Sequence, residues 1–136
     1  MLNYYFSKKE VIFINSEHKR AILVAENEDS IRKLISFKLN KKGYLVKEVK
    51  NGEEVMKELC SNSYAALILD LMLPMLTGMQ VLKKIQEEKI DIPVLIVSAK
   101  SQEKDIIRAF KLGADDYLSK PFRPQELIIR LKRLLN

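Results

Sequence analysis

Five times along this chain a short apolar run is followed by a stretch whose apolar residues recur at helical spacing. Residues 21–25 (AILVA) are the first run. Residues 29–42 follow, with Ile31, Leu34, Ile35 and Leu39 on one helical face, and Gly43 is placed to end that helix in a left-handed cap. Residues 44–49 are a less apolar strand, which predicts an edge. Asn51 starts the next helix, with Glu54 in the reciprocal place of a capping box and Val55, Met56 and Leu59 inward. Residues 65–69 (AALIL) form the third strand. A loop holding Pro74 and Gly78 leads into a helix buried through Val81, Leu82 and Ile85. Residues 93–97 are the fourth strand. Ser101 is predicted to cap the helix that runs to Leu112 and stops at Gly113. A short strand over 116–119 precedes Lys120 and Pro121. Pro124 suits the first turn of a last helix whose stripe is Leu127, Ile128, Leu131, Leu134 and Leu135. Continuous apolar runs are strands covered on both faces, and this alternation with short connections predicts a parallel sheet between two helical layers.

Composition supports a single domain. The chain has 136 residues, 47% of them apolar, enough for a core and too many for a disordered chain. No apolar run reaches the length of about 18 residues that a spanning helix needs. Lys8, Lys9 and Glu10 interrupt the N-terminus where a signal peptide would be apolar. A cytoplasmic protein without membrane contact is the expectation. The single Cys60 suits a reducing compartment and reads as a small buried hydrophobe near a helix end. The net charge of +6 is spread over several helices and mixed with acids, which predicts solvated faces and no direct nucleic-acid binding. Residues 1–20 stand outside the alternation as an N-terminal extension. They hold a strand-like run at 11–14 and the lone His18, and they pack as an arm, add to an edge or stay disordered. Residues 21–136 form the domain.

The residues that follow each strand carry the chemistry. They are Glu26, Asn27 and Glu28 after the first, Asp70 after the third, Ser98 after the fourth and Lys120 after the fifth. In a parallel sheet these positions share one edge, the edge where open α/β sheets place their sites. Each alone reads as a helix-start acid, a loop hydroxyl or a surface charge; together they read as a site. Clustered carboxylates call for a cation, and Mg²⁺ is held by few carboxylates with waters retained. A carboxylate can be a nucleophile towards phosphorus, and phosphoryl transfer needs charge neutralised on the equatorial oxygens.

These segments resemble the receiver domain of bacterial two-component response regulators. The resemblance covers residues 21–136 and is carried by ILVAENE at 22–28, LDLMLP at 69–74 with Gly78, VSA at 97–99, and GADDYLSKPF at 113–122. It implies a flavodoxin-like (βα)5 fold, a doubly wound five-stranded parallel sheet in the order 2-1-3-4-5. It implies that Asp70 accepts a phosphoryl group from a histidine kinase or phosphotransfer protein. Glu26, Asn27, Asp70 and the backbone carbonyl of Met72 would hold Mg²⁺, and Lys120 would pair with the carboxylate and then the phosphoryl group. Ser98 and Tyr117 would be the switch residues, with Tyr117 swinging inward, and Met72 and Lys100 would tune dephosphorylation. The protein would be a signalling switch that assists only its own phosphoryl transfer, acting on a downstream effector domain or protein.

Asn27 departs from the pattern, which has a second acid there, so the pocket loses a charge and Mg²⁺ binding is expected to weaken. This motivates an alternative, a phosphorylation-independent interaction module of the same fold. A flavin carrier of this topology is disfavoured, because the acidic stretch 26–29 would repel a phosphate. Crossed ion pairs in family dimers point to Asp116 and Arg130, whereas Ile106 and Lys111 do not match that pattern. Ile106 and Ile129 offer an apolar patch instead. The expected state is a monomer or a phosphorylation-linked homodimer.

Overall fold

The computed structural model describes residues 20–136. The readings at residues 11–14 and His18 lie outside that range. Ten elements alternate along the chain: β1 (Ala21–Ala25), α1 (Asp29–Lys41), β2 (Leu45–Val49), α2 (Gly52–Ser61), β3 (Ala66–Leu69), α3 (Gly78–Glu87), β4 (Val94–Ser98), α4 (Glu103–Lys111), β5 (Asp116–Ser119) and α5 (Pro124–Leu135). The strands form one parallel sheet in the order β2-β1-β3-β4-β5. This is the doubly wound order expected from the sequence.

Side chains alternate across the sheet and divide the core in two. Leu23, Leu67, Leu69 and Ile96 face one way and pack with Val55, Val81 and Leu82 of α2 and α3. Ile22, Val24, Ile68, Leu95 and Val97 face the other way and meet Ile35, Leu39, Leu127 and Leu131 of α1 and α5. Burying each such aliphatic side chain contributes about 1.5–3 kcal/mol, so the inner strands need no polar face. Edge strand β2 differs. Leu45 is 52% exposed and Lys47 faces solvent, a charge that blunts the open edge.

Gly43 and Gly113 close α1 and α4 at φ of 94° and 105°, where L side chains are strained. Asn51 Oδ1 accepts from the Glu54 N–H at 2.8 Å, but Glu54 reaches back to the Lys50 N–H and not to Asn51. The full capping box lies at α3, between Thr77 and Gln80. Ser101 does not cap α4. The helix starts one residue later than that reading requires, with Gln102 in the cap position and no side-chain bond. Cys60 is exposed, because the last turn of α2 points its thiol at Glu88 at the C-cap of α3 (3.8 Å) and not into the core. Ile106 packs half-buried against the core under α4, while Ile129 is 60% exposed and lines a groove with Lys38 and Lys41 of α1 and Lys42 at its C-cap. The two therefore form no common patch. No described helix is long and apolar enough to cross a membrane.

Candidate functional site

Each strand end is tied to its neighbour at the point where a polar side chain emerges. The Asp70 N–H donates to the Ala25 carbonyl (3.0 Å), the Glu26 N–H to Val49 (3.2 Å) and the Lys120 N–H to Ser98 (2.9 Å). The sheet ladder thus extends one residue past the strands and fixes the backbone of the acids and the lysine. Gly78 completes the floor. A Cβ there would lie 2.6 Å from the Asp70 carbonyl oxygen and 2.5 Å from Leu71 Cα, so only glycine lets α3 begin this close to Asp70.

Glu26 and Asp70 are 2% and 4% exposed. Lys120 lies between them, its Nζ 2.8 Å from Glu26 Oε1 and 3.3 Å from Asp70 Oδ2. The other oxygens are held by backbone: Asp70 Oδ1 accepts from the Met72 N–H (3.0 Å) and Glu26 Oε2 from the Glu28 N–H (3.0 Å). Lys120 Nζ is the close partner of the buried Glu26 Oε1, which takes no backbone N–H among the described residues. Two buried carboxylates against one ammonium leave a negative charge uncompensated. Burial pushes the Glu26 carboxyl above its ordinary range, against the pull of Lys120. Burial works to lower the Lys120 ammonium, but the hydrogen bond to Glu26 and the charge of Asp70 outweigh it and hold the proton on.

Among the described residues no three of His, Cys, Asp and Glu stand close enough to hold a metal by themselves. The donor set is two buried carboxylates that share one ammonium among the described residues. It fits a hard cation that keeps several waters, as Mg²⁺ does, and not a closed cage of protein ligands.

The remaining expected residues frame this cluster. Asn27 is exposed, and with Met72, Lys100 and Arg108 it lines a cleft of about 660 Å³. Ser98 is fully buried, and its Oγ accepts from the Lys100 N–H at 3.1 Å. Tyr117 is 8% exposed, already inward, with its hydroxyl donating to the Lys100 carbonyl. Burial pushes the Tyr117 phenol up, so it stays protonated as a donor. Asp116 and Arg130 pair with each other within the chain at 2.8 Å, and Lys111 is exposed at the end of α4.

One residue near the site escaped the sequence reading. Arg32 of α1 is 2% exposed and donates to the Glu26 backbone carbonyl (2.9 Å), to Glu48 (3.0 Å) and to Asp29 (2.5 Å). The signal was present: residues 32, 35, 36 and 39 share the inward face of α1, so an arginine sits in a core register.

Comparison with known proteins places the fold in a family. The response regulator receiver domain family matches residues 22–132. The transcriptional regulatory protein SrrA of Staphylococcus aureus is 40% identical over 114 residues, which is 84% of this chain and 47% of that protein. The chain therefore spans about half the length of the curated relatives it matches. Among solved structures, the Francisella response regulator 1452 receiver domain superposes with a TM-score of 0.83 at 34% identity, covering 86% of this chain and 97% of that one. The BeF3-activated DrrB receiver domain gives 0.79 at 30% identity, covering 87% and 98%. The chain belongs to the response regulator receiver family, whose members are parts of two-component signalling systems.

Proposed function

We propose that this chain is a phosphorylation-controlled switch in which Asp70 accepts a phosphoryl group from a sensor histidine kinase or phosphotransfer protein and passes the change to a downstream effector domain or protein. The observation that carries this reading is the buried Glu26–Asp70 pair, two carboxylates that share a single ammonium, Lys120, among the described residues.

An Asp70 carboxylate oxygen attacks the donor's phosphorus. The O–P bond forms as the P–N bond of the phosphohistidine breaks, and the imidazole leaves with the electron pair. The Met72 N–H and Lys120 fix the plane of the attacking carboxylate. Lys120 then turns its charge to the phosphoryl oxygens, where preorganised donors count most. Ser98 accepts from the Lys100 N–H, which leaves its own O–H to donate to a phosphoryl oxygen. Mg²⁺, held by Glu26, Asp70, the Asn27 side chain and the Met72 carbonyl, would neutralise and orient the phosphoryl oxygens when bound.

Ser98 and Tyr117 both engage the segment around Lys100, so a pull on the Ser98 hydroxyl reaches the start of α4. Ile106, Lys111, Asp116 and Arg130 lie on α4, β5 and α5, the elements that follow that segment, where a partner or a second copy would read the switch. The protein would act in the cytoplasm as a monomer or as a phosphorylation-linked homodimer, with residues 21–136 as the working unit. An apolar, 58% exposed Met72 cannot orient an attacking water, which favours a long-lived phosphoaspartate, while Lys100 on the same cleft opposes or leaves that lifetime unchanged. Incubation with acetyl phosphate and Mg²⁺ tests the reading. The wild type should gain the mass of one phosphoryl group and Asp70→Asn none; a mass gain kept in Asp70→Asn contradicts it.

Asn27 favours a second reading, an interaction module of this fold that works without phosphorylation. Absence of any mass gain at saturating Mg²⁺ would select it.

A further inference from the structure

We infer that Arg32 is a positioning residue for the cation side of the site, holding the Glu26–Asn27 peptide in the orientation that metal binding requires. The inference rests on the phosphoacceptor reading above and adds to it a residue that touches neither phosphoryl group nor metal.

The argument begins with the cost of burying a guanidinium. Arg32 is 2% exposed, and a cation so placed persists only when its donors are satisfied. Two of its three arms reach half-open or open partners, Glu48 (30% exposed) and Asp29 (76% exposed). The Glu48 pair suffices to clamp α1 to the edge strand, and the Asp29 pair stays within α1. The third arm does something different. Nη1 donates to the Glu26 carbonyl in a fully buried bond of 2.9 Å. That carbonyl belongs to the peptide joining Glu26 to Asn27, so its direction sets where both side chains leave the backbone. The Glu26 N–H is already tied to Val49, and Arg32's own N–H donates to the Glu28 carbonyl at 2.9 Å. Arg32 therefore grips the turn from Glu26 to Glu28 at its first and last carbonyls.

Asn27 makes this grip matter more. With no carboxylate at position 27, less of the cation affinity comes from charge and more from having the donors in place. Partners that orient the ligands of a metal typically change its affinity by about 10–100-fold when removed. Lysine cannot replace the planar fork, because one ammonium cannot reach a carbonyl and two carboxylates in fixed directions.

The test compares Mg²⁺ dissociation constants, from calorimetry and from the amide signals of Asn27 and Asp70, in the wild type, Arg32→Gln, Arg32→Lys and Glu48→Gln. Thermal melting runs in parallel. Both Arg32 variants should bind Mg²⁺ about tenfold more weakly. Glu48→Gln removes the charge from the clamp but spares the bond to Glu26, so it should lose stability and bind Mg²⁺ like the wild type. Arg32→Lys keeps the buried charge and serves as the deciding variant if Arg32→Gln does not fold. Unchanged affinity in a folded Arg32→Lys overturns the inference, and so does an equal loss in Glu48→Gln, which would tie affinity to general stability. A wild type that takes up no Mg²⁺ overturns both this inference and the reading beneath it, whereas an unchanged Arg32→Lys overturns the inference alone.

Discussion

The loop between β1 and α1 and the loop between β4 and α4 flank Asp70 from opposite sides, and they are fastened differently. Charge holds the first. Arg32 grips the Glu26 carbonyl from a fully buried position, Glu26 Oε2 takes the Glu28 N–H, and Lys120 closes the pair with Asp70. Neutral hydrogen bonds hold the second, one from the Lys100 N–H to Ser98 Oγ and one from the Tyr117 hydroxyl to the Lys100 carbonyl, while residues 99–102 are exposed. Neither helix has a side-chain N-cap to stiffen its start. A switch needs a fixed frame against which something moves. In the proposed switch the cation side would be the frame, and the Ser98–Tyr117 side, held by two neutral hydrogen bonds, the part that rearranges.

The largest effect should come from removing the residue that both sides share. Lys120→Ala leaves Glu26 and Asp70 buried without their cation, and phosphorylation of Asp70 should slow about a hundredfold, read as the rate of mass gain with acetyl phosphate. A near-normal rate would detach Lys120 from the chemistry. Next, Asn27→Asp restores a charge to the frame alone. Mg²⁺ affinity should rise severalfold while the amide signals of residues 99–102 stay in place; equal affinities would show that charge at this position is immaterial. Tyr117→Phe acts on the other side. It removes one neutral hydrogen bond and should cost about 1 kcal/mol in urea unfolding. It should also raise mobility around Lys100 in relaxation measurements and leave Mg²⁺ binding intact. A change in metal affinity here would break the division between the two loops.

The smallest effect concerns the open arm of the frame. Arg32 holds the Asp29 carboxyl below its ordinary value of 3.8, and that carboxylate is 76% exposed. A depressed carboxyl adds its stability above the ordinary value and loses it as the pH falls through the lower folded value, so the window lies below pH 3.8. In Arg32→Gln the Asp29 titration, followed by side-chain carbon NMR, should move back up. No movement would mean that the guanidinium does not engage Asp29 in solution.

Much of this organisation is legible in the chain. The runs at 22–25 and 66–69 are apolar at every position because both sheet faces are covered, and this places Glu26 and Asp70 on one edge without any coordinates. Ser98 and Lys120 follow by the same rule. What stayed hidden depended on packing between distant segments. An apolar periodicity passes over an arginine, so Arg32 was missed although it occupies a core register of α1. Cys60 was misread because the last turn of a helix does not announce whether it still lies over the sheet. Residue types suggested a cap at Ser101 and a box at Asn51–Glu54, yet backbone direction decided both, and the full box formed at Thr77–Gln80.

The division between frame and switch is tested most directly by beryllofluoride with Mg²⁺, read residue by residue in amide and arginine side-chain NMR. Large shifts at Ser98, Lys100 and Tyr117 are predicted, with the Arg32 guanidinium signals left in place. Arg32 signals that move as far as those of Lys100, or a chain that does not respond at all, would contradict it.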